Sequence, residues 1–179
     1  MKLLRTIRLD PSDTFVFERT AAPGEWAISG AFVFWNSDAS KFTGKLRAAF
    51  RGGFLGVESL GWSTLVQIVE ATMEQRENVV EKLSQWLVSD FGAPDLIAAR
   101  AAAEEEVIFA HSLCDHPIDT LIAVHRTHEG GAIREAFRTL QAREGPKPLR
   151  AFSFLEVEGE DNVPTEEIDL AGLAGEKLK

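Results

Sequence analysis

Tyrosine is missing from this 179-residue chain, so no phenolic acid or phenolic hydrogen-bond donor belongs to any chemistry it performs. There is a single cysteine, Cys114, which rules out an intrachain disulfide and any iron–sulfur cluster ligated by this chain alone. No apolar run approaches the roughly 20 residues of a membrane-spanning helix. The opening MKLLRTIRLD places Lys2, Arg5, Arg8 and Asp10 among its apolar residues and so lacks the hydrophobic core of a secretory signal. These absences set the expectation of a cytoplasmic protein without a membrane anchor. Positive charge is also short: the formal net charge is -9. From Glu156 onward eight acids face two lysines, a net of -6, which leaves -3 for residues 1–155. A body without a net positive field lacks the general attraction behind nucleic-acid affinity, and no nucleic-acid partner is expected.

What is present is an ordinary globular composition, 45% apolar and 26% charged, with twelve phenylalanines. Three phenylalanine pairs stand two residues apart in strand-like stretches: Phe15 and Phe17, Phe32 and Phe34, Phe152 and Phe154. In extended chain each pair points to one side, so a shared sheet would carry six rings on one face. Such a face demands a cover of helices, a second subunit or an apolar ligand.

Hydrophobic periodicity predicts strands over Lys2–Asp10, Thr14–Glu18, Trp26–Trp35, Ser63–Ala71, Thr120–Thr127 and Leu149–Val157, with a brief one in FLGVESLGW. Ser63–Ala71 is apolar on both alternations, the pattern of a central strand. In the Thr120–Thr127 segment Leu121, Ala123 and His125 fall on one face and Ile122, Val124 and Arg126 on the other. A short helix carrying Phe42, Leu46 and Ala49 or Phe50 on one side, capped by Ser37, Asp38 or Ser40, ends at Gly52 and Gly53. Thr72 with Gln75 forms a capping box ahead of Val79, Leu83, Trp86 or Leu87, and Phe91, which recur at helical spacing up to Gly92. Pro94 opens a helix to about Cys114 whose buried stripe is Leu96, Ala99, Ala103, Val107 and Ala110. Gly130 and Gly131 break the chain before a further helix carrying Ile133, Phe137 and Leu140. The expectation is an α+β fold: one domain over 1–157 with a largely antiparallel sheet and about three helices on one face, then an acidic, partly mobile tail over 158–179.

Candidate chemistry is sparse. His111, Cys114 and His116 are the one cluster of soft ligands; residues three apart share a helix face, and imidazole with thiolate suits zinc or copper. The same residues could form a Cys–His nucleophile pair, although a helix C-terminus disfavours the thiolate. A buried cysteine with helix-end histidines is the reading preferred over both. Arg51, Gly52 and Gly53, with Gly56, could present backbone amides and a guanidinium to an anion, and Arg126 is a further binding candidate. Glu104, Glu105 and Glu106 read as a solvated helix face, because three successive side chains fan through roughly 200°. No nucleophile elbow, HExxH helix, phosphate loop or dinucleotide fingerprint occurs, so no cofactor is implied.

The opening MKLLRTIRLDPSDTFVFE, the segment GEWAISGAFVFW and FRGGFLGVESLGWSTLV resemble a family of small bacterial proteins known as a domain of unknown function. The resemblance implies no catalytic residues. It does imply an accessory role, since relatives tend to be encoded beside maturation factors for redox metalloenzymes. The expected function is a non-enzymatic binding or accessory protein whose apolar surface takes a protein partner or another copy of itself. The competing class is an enzyme or small-ligand protein with its site near His111, Cys114 and His116, with Arg126 as an added cation.

Overall fold

A computed structural model describes residues 1–142 and 154–156. The first strand, β1 (Lys2–Ile7), becomes a middle strand of an eight-stranded sheet, pairing on one side with β2 (Trp26–Ile28) and on the other with β5 (Leu65–Glu70). The sheet order is β4-β3-β2-β1-β5-β6-β7-β8, where β3 is Phe54–Gly56, β4 Trp62–Ser63, β6 Leu121–Glu129, β7 Ala132–Ala142 and β8 Phe154–Glu156. Every pairing of neighbouring strands is antiparallel. Four helices complete the described elements: α1 (Asp13–Val16), α2 (Gly44–Gly52), α3 (Met73–Ser89) and α4 (Leu96–Ser112). The architecture is the expected α+β class with an antiparallel sheet. No helix among the described residues is long and apolar enough to cross a membrane.

The sheet is strongly curled. In a flat sheet β3 and β7 would stand five strand spacings, roughly 24 Å, apart. Yet the rings of Phe54 on β3 and Phe137 on β7 have centroids 6.2 Å apart. Phe137 also meets Phe109 of α4, at 5.7 Å, so α4 lies against the inside of the curl. The main core collects Leu4, Ile28, Phe54, Leu55, Val66, Ile68 and Ile122 from the sheet with Val80 and Leu83 of α3 and Ala99, Ala103, Val107 and Ala110 of α4. Small residues on that side of α4 let the helix lie close to its neighbours. A smaller aromatic core holds Phe17, Phe34, Phe42, Ala49 and Phe50, with Phe34 stacked on Trp62 at 5.2 Å.

The local signals explain most of these elements. Thr72 accepts from the Gln75 amide at 3.1 Å while Gln75 accepts from the Thr72 amide at 2.9 Å, the reciprocal capping box that starts α3. Asp95 caps α4 by accepting from the Ala98 amide at 2.8 Å, so Pro94 lies just outside the helix rather than in its first turn. Leu96 is consequently exposed at the helix entrance instead of joining the buried stripe.

Other expectations are corrected. Asp13–Val16 is a short helix, not strand: Asp13 carries a buried carboxylate that accepts from the Thr64 amide at 3.2 Å, and the turn positions it there. The strand from Trp26 stops at Ile28; Gly30 at φ 76° turns the chain into a 3-10 turn over Ala31–Phe34. Of the capping candidates, Asp38 accepts from the Ser40 amide and so starts a separate 3-10 turn, Ala39–Lys41, whereas α2 begins after Thr43. The helix placed on Ile133, Phe137 and Leu140 is β7, paired with β6 from Leu121 opposite Leu140 to Glu129 opposite Ala132. Gly130 and Gly131, both at positive φ, make the two-residue turn of that hairpin. The phenylalanine pairs do not form one wall: Phe15 is exposed while Phe17 is buried, and Phe32 packs on Phe91 at 5.1 Å while Phe34 sits in the second core. Phe152 and the stretch 158–179 lie outside the described residues.

Candidate functional site

Alternation along β6 sends Ile122, Val124 and Arg126 inward, as the sequence predicts, and so puts a guanidinium in the interior. Arg126 is 0% exposed. Its Nε donates to Glu135 Oε1 on β7 at 2.7 Å, and its Nη1 donates to the carbonyls of Phe50 and Gly53 at 3.1 and 2.7 Å. Nη2 donates to the Ser29 carbonyl and to Ser29 Oγ, and that hydroxyl donates in turn to Glu135. All five N–H donors of the side chain are thereby used. Burial pulls the Arg126 pKa down, and the adjoining Glu135 charge opposes that shift. The node ties β6 and β7 to the end of β2 and to the junction of α2 with β3, across the mouth of the curl.

Glu106 of α4 faces this node from above. Burial, reinforced by the Glu135 charge and countered by Arg126, pushes its carboxyl up to about 7. A carboxyl of that kind holds or releases a proton near neutral pH. The three consecutive glutamates therefore divide: Glu104 pairs with Arg100 at 3.6 Å, Glu105 is exposed, and Glu106 turns toward the interior. Position 106 is one residue from Val107 and three from Ala103, beside the buried stripe, and that spacing is the signal by which it could have been found. Glu135 carried no comparable mark because it stands opposite Arg126 only in the β6–β7 hairpin register, and Ser29 carried none because it depends on how far the sheet curls.

Of the predicted anion-binding residues, the structure brings Gly53 and Arg126 together with the opposite polarity. The glycine supplies a carbonyl to the guanidinium, so no amide cradle faces an anion there. Glycine at 53 is required by packing: a Cβ there would lie 2.8 Å from the Trp62 ring and 2.9 Å from the Ala49 carbonyl. Gly52 closes α2, and Arg51 is exposed in its last turn, where a cation complements the helix dipole.

His111, Cys114 and His116 are likewise absorbed by a structural junction. His111 Nδ1 lies 2.8 Å from the Lys2 carbonyl, and Lys2 Nζ donates to the carbonyls of His116 and Cys114 at 2.6 and 3.3 Å. The first strand is thus clamped to the end of α4. Cys114 is buried, its Sγ donating to the Ala110 carbonyl at 3.3 Å, and burial raises the thiol to about 11 despite nearby Lys2. A thiol held in that form is a poor ligand and nucleophile. His116 is exposed. Among the described residues no three His, Cys, Asp or Glu side chains are grouped to hold a metal ion, so the sequence-predicted trio does not converge.

An open groove of about 470 Å³ lies beside Met1, Lys2, Glu70, Thr72 and Ile118. Three of its polar groups are tied to the chain itself: the Met1 amine donates to the Ala71 carbonyl at 3.2 Å, Lys2 Nζ to the carbonyls of His116 and Cys114, and Thr72 belongs to the α3 cap.

The remaining feature is the outside of α4. Opposite its buried stripe the helix carries a second apolar line, bordered by Arg100, Glu104 and Glu105. Only one side is covered. Ile97 is 84% exposed, Ile108 57% and Phe109 38%, with Ala98, Ala101 and Ala102 also exposed.

No curated protein and no solved structure matches this chain. A family model does, over residues 1–154, and it takes in every element from β1 to β7 together with the Arg126 node and the whole of α4. On that match the chain belongs to the family of unknown function DUF6505.

Proposed function

We propose that this chain is a non-enzymatic binding or accessory protein that docks a protein partner through the outer face of α4. The observation that carries the reading is the pair of exposed isoleucines, Ile97 and Ile108, on the side of α4 opposite its buried stripe. Monomeric surfaces carry single exposed apolar residues freely, whereas an apolar stripe along three turns of one helix is the surface that interfaces use. The polar groups with chemical potential act against this chain's own backbone, as the Arg126 and Lys2 bonds show.

Replacing Ala101 with a photo-crosslinking residue in the full chain, with exposed Glu58 as the control position, tests the reading directly. The expected result is a discrete adduct from position 101 alone, formed with a protein that rebinds the purified chain and fails to bind an Ile97→Asp/Ile108→Asp variant. Equal crosslinking from both positions, or none from position 101, would overturn it.

A further inference from the structure

Charge is unevenly divided over this molecule. Between Met73 and Ser112, which covers α3 and α4, eight carboxylates stand against three bases, a net of -5. Residues 1–72 carry eight bases against seven acids, a net of +1, and residues 113–142 three against four, a net of -1. Among the described residues the helical layer is therefore the acidic side of a body that is otherwise close to neutral. Its arginine on α4, Arg100, is already held by Glu77, Glu81 and Glu104. Ile97, Ala101 and Ile108 follow one line of α4 over about 16 Å, and exposed Glu105 lies on the same line between the last two. No ion pair to Glu105 occurs among the described residues.

Three occupants can cover an apolar helix face of this kind. The chain's own stretch from Glu156 onward carries -6 and is repelled by a -5 surface. A second copy in a closed two-fold pair apposes the same patch to itself and so brings two net-negative helical layers together. An amphipathic helix from another protein, apolar along one side and flanked by lysine or arginine, meets both the isoleucine line and the acidic border. Resting on the docking role proposed above, we infer that the partner presents such a basic amphipathic helix.

The probe is a synthetic amphipathic peptide of about 18 residues, five turns, with a leucine face and lysine flanks. The controls are the same peptide with glutamate flanks and a scrambled lysine peptide of equal composition. Fluorescence anisotropy against the full chain is expected to give a Kd of roughly 10–100 μM for the lysine peptide. That affinity falls about tenfold between about 50 mM and about 500 mM salt as charges are screened. Both controls are expected to bind at least about tenfold more weakly, and Ile97→Asp/Ile108→Asp abolishes binding of the lysine peptide. Equal binding by the scrambled peptide, binding unaffected by the isoleucine changes, or no binding overturns the inference. Should the position-101 adduct instead be a second copy, or a partner without a basic helix, the inference fails while α4 remains a docking face.

Discussion

Arg126 reaches three separate backbone carbonyls, one hydroxyl and one carboxylate, so its removal leaves several buried acceptors without a donor at once. Arg126→Met is expected to cost about 3–5 kcal/mol in urea unfolding. Arg126→Lys recovers little, because a point ammonium cannot span the fork. A double variant with Glu135→Leu should regain only part, since the carbonyls of Ser29, Phe50 and Gly53 stay unpaired. Full recovery would show that the ion pair, not the carbonyl set, holds the node. Glu106 supplies a second prediction. Its folded pKa near 7 lies above the ordinary 4.5, so between those values the folded state binds more protons than the unfolded one. Stability from this group is therefore full below about pH 4.5 and is lost as pH rises through 7. Glu106→Gln should stabilise the protein by roughly 1–2 kcal/mol at about pH 8, allowing for its partial exposure, and change little at about pH 4.5. Equal offsets at both pH values would remove Glu106 from the node. The inward facing of Arg126 was legible from strand parity alone. Its partners were not: Glu135 stands opposite it only once Gly130 and Gly131 are read as a hairpin turn, and Ser29, 97 residues away, meets it only after the sheet curls.

Element by element, the sequence was most informative where a local hydrogen bond decides the structure and least where two periods compete. The Thr72–Gln75 box marks the start of α3 because both bonds close within four residues. Thr72→Ala is expected to cost about 1 kcal/mol, read as a shift in thermal or urea midpoint. By contrast, Ile133, Phe137 and Leu140 satisfy a helical spacing, yet Ile133, Glu135, Phe137 and Thr139 also alternate as one strand face. The decision comes from Gly130 and Gly131, whose positive φ values suit a two-residue hairpin and return the chain along β6. Read as a breaker, that dipeptide conceals the longest strand pairing among the described residues. The phenylalanine pairs failed for a related reason: two-residue spacing implies a shared face only in extended chain, and Asp13–Val16 and Ala31–Phe34 are helical turns. Gly53 shows how packing can masquerade as a binding motif. Gly53→Ala should destabilise by about 1–3 kcal/mol, because its Cβ would meet both the Trp62 ring and a backbone oxygen. An unchanged unfolding midpoint would mean that Trp62 can move aside at no cost.

For the molecule as a whole, the α+β class was readable from the alternation of strands and helices, but the curl was not, since it depends on contacts such as Phe54 with Phe137 that sequence order keeps 83 residues apart. The buried stripe Ala99, Ala103, Val107 and Ala110 was legible at helical spacing. Its complement, the opposite side of the same helix, is apolar too, and only the structure shows that the described residues leave it open. This asymmetry yields a test that separates a docking face from an internal one. Ile97→Lys/Ile108→Lys replaces two exposed side chains in an acidic layer and lowers its net charge from -5 to -3. If the face is free, no packing is lost and surface repulsion falls, so thermal unfolding should stay within about 2 °C of the parent. Binding of a hydrophobic dye to the native protein should drop at the same time. A fall of more than about 5 °C would mean instead that the two isoleucines pack within the folded chain, and the docking role of α4 would go with it.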